Sequence, residues 1–94
     1  MTIGYLEIEV YLPGVSSLKE KRMILNRVKD KLRSKYNVGI AEVDQNDKWQ
    51  RAVLGIVGVS NEMQRINSLM DKILNWFEEL RELDIINYNC RFYQ

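Results

Sequence analysis

Most of the residues that could take part in binding chemistry lie in one basic segment, between Lys19 and Lys35. This segment holds eight basic and two acidic residues, a net charge of +6, in a chain whose total is +1. In a helix, side chains that step by three and four lie on one side, here Lys19, Arg22, Asn26, Lys29 and Arg33. At a rise of about 1.5 Å per residue this stripe is about 21 Å long, so it matches a phosphate backbone in sign and reach. The predicted nucleic-acid-binding residues are Lys19, Lys21, Arg22, Arg27, Lys29, Lys31 and Arg33.

Two questions about this segment stay open. A solvated helix face, balanced by carboxylates elsewhere in the chain, would have the same sequence pattern. Lys21 also differs from the other cations, because it falls in the middle of the apolar stripe of the helix. Its stem could pack on the core while the ammonium group reaches outward to water, or it could contact an anion at the helix entrance near Gly14. The first of these two interpretations is favoured for Lys21.

The composition argues against the common kinds of catalytic and metal site. The chain has no histidine and a single cysteine, Cys90, so the usual general base, a cysteine zinc site and an internal disulfide are all excluded. It has no glycine-rich nucleotide loop, no Cys-x-x-Cys pair and no acylphosphatase-type loop around Pro13. Glu42, Asp44 and Asp47 could bind a hard cation, but carboxylates in turns more often accept bonds from local amides. We expect no enzymatic activity, no metal and no small-molecule cofactor, and we expect Cys90 to be a small buried hydrophobe.

The hydrophobic pattern predicts six elements in the order β-α-β-β-α-β. Period-two alternation predicts strands over 2–12, 38–44, 51–59 and 85–93, and apolar steps of three and four predict helices over 18–35 and 62–80. Ser17 and Glu20 match a capping box, Asn37 is a candidate left-handed exit residue, and Ser60 with Asn61 is expected to cap the second helix. The third strand is apolar on both faces, which is typical of the centre of a sheet.

This order predicts one α+β domain over residues 1–94 with the ferredoxin-like split β-α-β fold. Four antiparallel strands would carry two helices on one face. Right-handed crossovers would place the first and third strands in the centre of the sheet.

The sheet face opposite the helices is a second candidate surface. RNA-recognition domains of this topology stack bases on aromatic residues of the two central strands. Here the third strand offers only Val53, Gly55 and Val57, so base stacking on the sheet is not expected. A partly aromatic, apolar face on a small domain favours a covered surface instead. The predicted dimer-interface residues are Tyr5, Tyr11, Val53 and Val57, and Trp49 is expected to pack or to lie in an interface rather than to be a stacking platform.

Three stretches resemble the YlxP-like family, a bacterial family whose function is not established. They are SLKEKR at 17–22, NVGIAEVD at 37–44, and DKWQRA at 47–52 followed by LG at 54–55 and VS at 59–60. The resemblance runs in order through essentially the whole chain, and AEVD and WQRA are its most specific parts. It implies a ferredoxin-like fold, a cytoplasmic setting and a genomic neighbourhood that often includes translation-initiation and ribosome-maturation genes. It implies no catalytic residue, because the family has no assigned active site.

Two functions follow as expectations. The first is a non-enzymatic RNA- or ribosome-associated accessory protein that binds the phosphate backbone through its basic first helix. The second is a dimeric protein-interaction or scaffold module whose basic helix docks an acidic partner protein. In both cases we expect a cytoplasmic homodimer without a signal peptide or a membrane span, because the N-terminus lacks a basic and an apolar region and the longest apolar run, 52–59, is short.

Overall fold

A computed structural model describes all 94 residues and confirms the predicted element order. The elements are β1 (Thr2–Tyr11), α1 (Leu18–Lys35), β2 (Gly39–Asp44), β3 (Arg51–Ser60), α2 (Met63–Glu78) and β4 (Asp84–Tyr93). The four strands form one antiparallel sheet in the order β2-β3-β1-β4, so the first and third strands are central as predicted. Both helices contribute to a single core on one face of this sheet. The fold is therefore the ferredoxin-like split β-α-β fold.

The core lies where the alternation of the two central strands places it. Leu6, Ile8 and Val10 of β1 are fully buried, and their neighbours in the chain face the other side of the sheet. The β3 residues that pair with them in register, Ile56, Leu54 and Ala52, are buried on the same face. Each helix adds one buried stripe, and burying such side chains is the main favourable term in folding. No helix of the structure is long and apolar enough to span a bilayer.

Two glycines let α2 approach the sheet closely. A Cβ added at Gly4 would lie 2.7 Å from Ile66 Cγ1 and 3.1 Å from Met70 Cε, and one added at Gly58 would lie 3.2 Å from Ile66 Cδ1. Gly4 and Gly58 are paired across β1 and β3, so together they form a flat seat for the first turns of α2. The helix could not sit at this height above larger residues.

We therefore expect Gly4→Ala to lower the free energy of unfolding by about 1–3 kcal/mol, because the added methyl group overpacks a filled core. Gly39→Ala is the matched control, since it adds the same methyl group at the exposed start of β2, where the nearest atom is Val57 Cγ1 at 3.1 Å. Urea unfolding of both variants measures the difference. Equal stability of the two variants would show that α2 does not depend on this close approach.

The start of α1 confirms half of the predicted capping box. The Ser17 hydroxyl accepts a hydrogen bond from the Glu20 amide at 3.1 Å. The Glu20 carboxylate does not reach back to the Ser17 amide and accepts instead from the Ser16 hydroxyl at 3.4 Å. One cap bond and an acidic residue in the first turn therefore begin the helix.

The other two cap predictions were wrong. Helix α1 ends at Tyr36 in an extended conformation, so no left-handed residue is needed at Asn37. The N-cap of α2 is Glu62, which makes no side-chain cap bond. Ser60 accepts from the Glu62 amide at 3.2 Å, but it lies two residues before the N-cap position.

Candidate nucleic-acid interface

Six of the seven predicted nucleic-acid-binding residues lie on the surface of α1. Lys29 is half-buried, and the other five are exposed: Lys19, Arg22, Arg27, Lys31 and Arg33. At 100° per residue they flank the outermost line of the helix on both sides. Lys19, Arg22, Lys29 and Arg33 follow one flank, and Arg27 and Lys31 follow the other. We call these six residues the basic face.

Carboxylates neutralise little of the basic face. Arg33 Nη2 lies 3.0 Å from Asp30 Oδ1 one turn earlier, and both side chains are largely exposed. Such a surface pair contributes little free energy, so a phosphate can compete for the guanidinium group. None of the other five cations has an ion-pair partner within 4.0 Å. The basic face therefore presents its positive charge to solvent.

Most of the positive charge of the chain lies in one helix. Outside the segment from Lys19 to Lys35 the chain has six basic and eleven acidic residues. On the helix-covered face of the sheet, α1 packs against the edge strand β2, and α2 packs against β1, β3 and β4. Four acidic residues cluster where α2 ends and β4 begins: Glu78, Glu79, Glu82 and Asp84. The positive charge of the protein is therefore concentrated on α1 itself.

Lys21 does not belong to the basic face, and its prediction as a nucleic-acid contact was wrong. Its side chain is 1% exposed and its Nζ lies 2.7 Å from Glu42 Oε2 on β2. The same ammonium group donates to the carbonyl oxygens of Gln45 and Lys48 at 2.7 and 2.6 Å. The favoured interpretation, an ammonium group reaching outward to water, was also wrong. Lys21 turns inward because two carbonyl acceptors and the paired Glu42 carboxylate replace its hydration.

Glu42 is the partner that sequence reasoning missed. Its neighbour across the sheet is Leu54 of β3, so it lies on the helix side, where its side chain is mostly covered. No other hydrogen-bonding group reaches Glu42 Oε2. A signal was present in the sequence. Glu42 on the core side of β2 and Lys21 in the apolar stripe of α1 are both charged residues at positions where an apolar residue is expected, and their charges are opposite. A buried charge is costly without a partner, so these two residues are expected to pair with each other.

Lys21 also holds the hairpin loop between β2 and β3, residues 45–50, against α1. Its two carbonyl contacts come from this loop. Gln50 adds a second attachment, because its side-chain amide donates to the Val15 carbonyl at 3.1 Å and its own carbonyl accepts from the Leu12 amide at 2.9 Å. The loop is thus fixed to the segment that leads into α1.

Trp49 lies in this loop and projects into solvent with 54% of its surface exposed. It is not among the residues that contact the core, so the packing half of its prediction was wrong, and the interface half stays a prediction. Of the carboxylates around the loop, Asp44 bonds a local amide as the turn interpretation predicts, whereas Glu42 does not. Asp44 Oδ1 accepts from the Gln45 amide at 2.8 Å, and Glu42 is paired with Lys21.

The predicted dimer-interface residues lie on the sheet face opposite the helices, and they differ in how much of each side chain is exposed. Tyr5 and Tyr11 are half-buried and Val57 is exposed. Val53 is 9% exposed in the single chain, so it offers almost no surface to a partner and its prediction needs correction. The apolar side chains most exposed on this face are Val43, Val57, Val59 and Tyr93.

Tyr5 lies across the middle of this face because Gly55 leaves room for it. A Cβ at Gly55 would lie 2.8 Å from Tyr5 Oη. The Tyr5 hydroxyl donates to Glu7 Oε2 at 2.9 Å. Burial and the neighbouring Glu7 carboxylate raise the pKa of Tyr5, so the phenol stays neutral. Cys90 is half-buried on the helix side, and burial, followed by the charge of Asp71, raises the pKa of its thiol.

Comparison with known proteins places this chain in a family. The model of a family described as "Protein of unknown function (DUF503)" matches residues 3–90. The chain belongs to this family. It is also 33% identical over 82 residues to a Bacillus subtilis (strain 168) protein described as "Uncharacterized protein YlxP", a match that covers 87% of this chain and 89% of the relative. The predicted membership of the YlxP-like family is thereby confirmed.

Proposed function

We propose that the protein is a non-enzymatic, RNA- or ribosome-associated accessory factor of the cytoplasm that binds the phosphate backbone through the basic face of α1. The observation that carries this proposal is the set of five cations without carboxylate partners on one helix. Well-spaced cations on a rigid element gain affinity by releasing counterions from phosphates. No base-specific contact is needed for this mode of binding.

The internal role of Lys21 supports the proposal in a second way. Lys21 is the buried cation of α1, and it fixes the hairpin loop. The six residues of the basic face do not hold the loop in place. Long side chains that are free to reorient can follow a curved or irregular RNA backbone. The eleven acidic residues outside the α1 segment repel the same phosphates, so they favour an orientation in which α1 faces the RNA.

Co-sedimentation with purified ribosomal particles across a salt series tests this function. We expect the protein to pellet with the particles at about 50 mM salt and to be released as the salt approaches about 200 mM, since several phosphate contacts are lost together. Absence of the protein from the pellet at every salt concentration would contradict the proposal. So would retention that salt does not change.

A second function is favoured by the exposed side chains on the sheet face. Val57 and Val59 are successive residues of β3 on this face, Val59 and Tyr93 of β4 flank Ile3 of β1, and Val59 is 62% exposed. An apolar face of this kind fits a homodimer in which two sheets pack together, leaving both basic helices on the outside. The dimer would then act as a scaffold whose basic helix docks an acidic partner protein. Recovery of a protein partner that resists nuclease treatment would favour this function over RNA binding.

Under this second function we expect a dimer at micromolar concentration and a monomer after Val57→Lys with Val59→Lys, because two buried ammonium groups would face each other in the interface. Light scattering measures the mass directly. Asn67→Lys with Asn75→Lys is the control, since it adds the same charge at exposed positions of α2. A wild-type protein that is already monomeric would contradict the sheet-face dimer.

A further inference from the structure

Trp49 differs from Trp76 in its surroundings. Trp76 is half-buried against the core, with its ring edge-on to Phe77 at a centroid distance of 5.1 Å. Trp49 has no comparable neighbour and is 54% exposed. The part of the Trp49 surface that is left in water is the type of aromatic surface that stacks on a ligand.

The backbone on both sides of Trp49 is fixed. The carbonyl of Lys48 is held by Lys21 Nζ at 2.6 Å, and the carbonyl of Gln50 accepts from the Leu12 amide at 2.9 Å. The Lys48 amide also donates to the Gln45 carbonyl at 3.1 Å, which closes the turn before it. Stacking on a platform that is already positioned costs little conformational entropy. By holding the Lys48 carbonyl, the buried Lys21 therefore fixes the backbone next to the exposed Trp49.

The attachments of the loop place Trp49 at the end of the molecule where α1 begins. Lys21 ties the loop to the first turns of α1, and the exposed cations Lys19 and Arg22 lie in those same turns. The loop itself is balanced in charge, with Lys48 and Asp47 both exposed. Positive charge thus comes from the helix, and the aromatic surface comes from the loop beside it. Cations that follow a backbone next to an aromatic ring are the arrangement that holds single-stranded nucleic acid.

We propose that Trp49 is a stacking platform for one unpaired base of a single-stranded RNA segment whose phosphates contact the N-terminal turns of α1. The proposal rests on the proposed binding of RNA by the basic face and names the kind of RNA that this face takes. The stacked base is of any type, because every base offers a flat face to an indole ring. A fully paired duplex gains nothing from Trp49, since its bases are stacked on one another.

The test uses the full chain carrying Trp76→Phe, which leaves Trp49 as the source of tryptophan fluorescence, and compares oligouridine with an RNA duplex of equal length. We expect oligouridine to quench Trp49 emission and the duplex to leave it nearly unchanged. In the otherwise wild-type chain, Trp49→Ala is expected to weaken oligouridine binding roughly 5- to 100-fold, whereas Trp49→Phe retains most of the affinity. The salt dependence of binding should be the same in all three proteins, because no phosphate contact is changed.

Two results overturn the proposal and are distinguishable from each other. If oligouridine binds with a strong salt dependence but Trp49→Ala has wild-type affinity and Trp49 emission does not change, the basic face binds RNA without a stacked base. If neither RNA binds in a salt-dependent manner, the proposed function fails and the stacking platform fails with it. Circular dichroism of Trp49→Ala is expected to match the wild type, since the side chain contributes no core contact.

Discussion

Lys21→Met should lower the free energy of unfolding by about 3–5 kcal/mol, a large share of the stability of a domain of this size. The change removes the only cation near a mostly covered carboxylate, Glu42, and leaves two loop carbonyls without their donor. The hydrophobic part of the lysine stem is retained by methionine, so the loss reports the ammonium group. Urea unfolding followed by circular dichroism measures it.

Two further variants separate this interpretation from a general effect of altering α1. Combining Lys21→Met with Glu42→Leu should recover much of the loss, because no buried charge then lacks a partner. Arg33→Met breaks the exposed pair with Asp30 on the same helix and should cost less than about 1 kcal/mol. If Lys21→Met is as mild as Arg33→Met, the buried ion pair does not hold the loop.

The second large effect is expected for RNA binding. Arg22→Glu combined with Arg33→Glu should weaken binding to ribosomal particles by about 100-fold or more, since each change removes an attraction to phosphate and adds a repulsion. Both side chains are exposed and lie on the same flank of α1, so the fold should not change. Filter binding or co-sedimentation at low salt measures the affinity.

The matched control for this reversal lies at the opposite side of the protein. Arg81→Glu with Arg91→Glu changes the net charge by the same amount, and both arginines are exposed in the α2–β4 region. This control variant should retain most of the wild-type affinity for ribosomal particles. Equal losses in the two double variants would mean that overall charge, and not the basic face, controls binding.

The fold could be predicted because its main signals are local. Alternation in β1 and the doubly apolar β3 identified the two central strands, and the stepped apolar residues identified both helices. The caps were predicted less well. Asn37 and Ser60 have the right residue types, but a cap depends on where the last hydrogen bond closes, which single residues do not determine.

The candidate site was predicted only where it depends on the helix itself. The positions of Arg22 and Arg33 on the surface follow from helical geometry. The role of Lys21 depends on Glu42 and on a loop more than twenty residues away, so it required the register of β2. The depth of Val53 and the exposure of Trp49 likewise depend on neighbours that are distant in the chain.

The slope of log affinity against log salt, measured for a short structured RNA with the wild type and two single variants, tests the central claim most directly. For about four to six phosphate contacts we expect a slope of about −3 to −5, and Arg22→Ala and Lys29→Ala should each make it shallower by about 1. A slope near zero, or one that neither alanine substitution changes, would contradict binding of phosphates by the basic face.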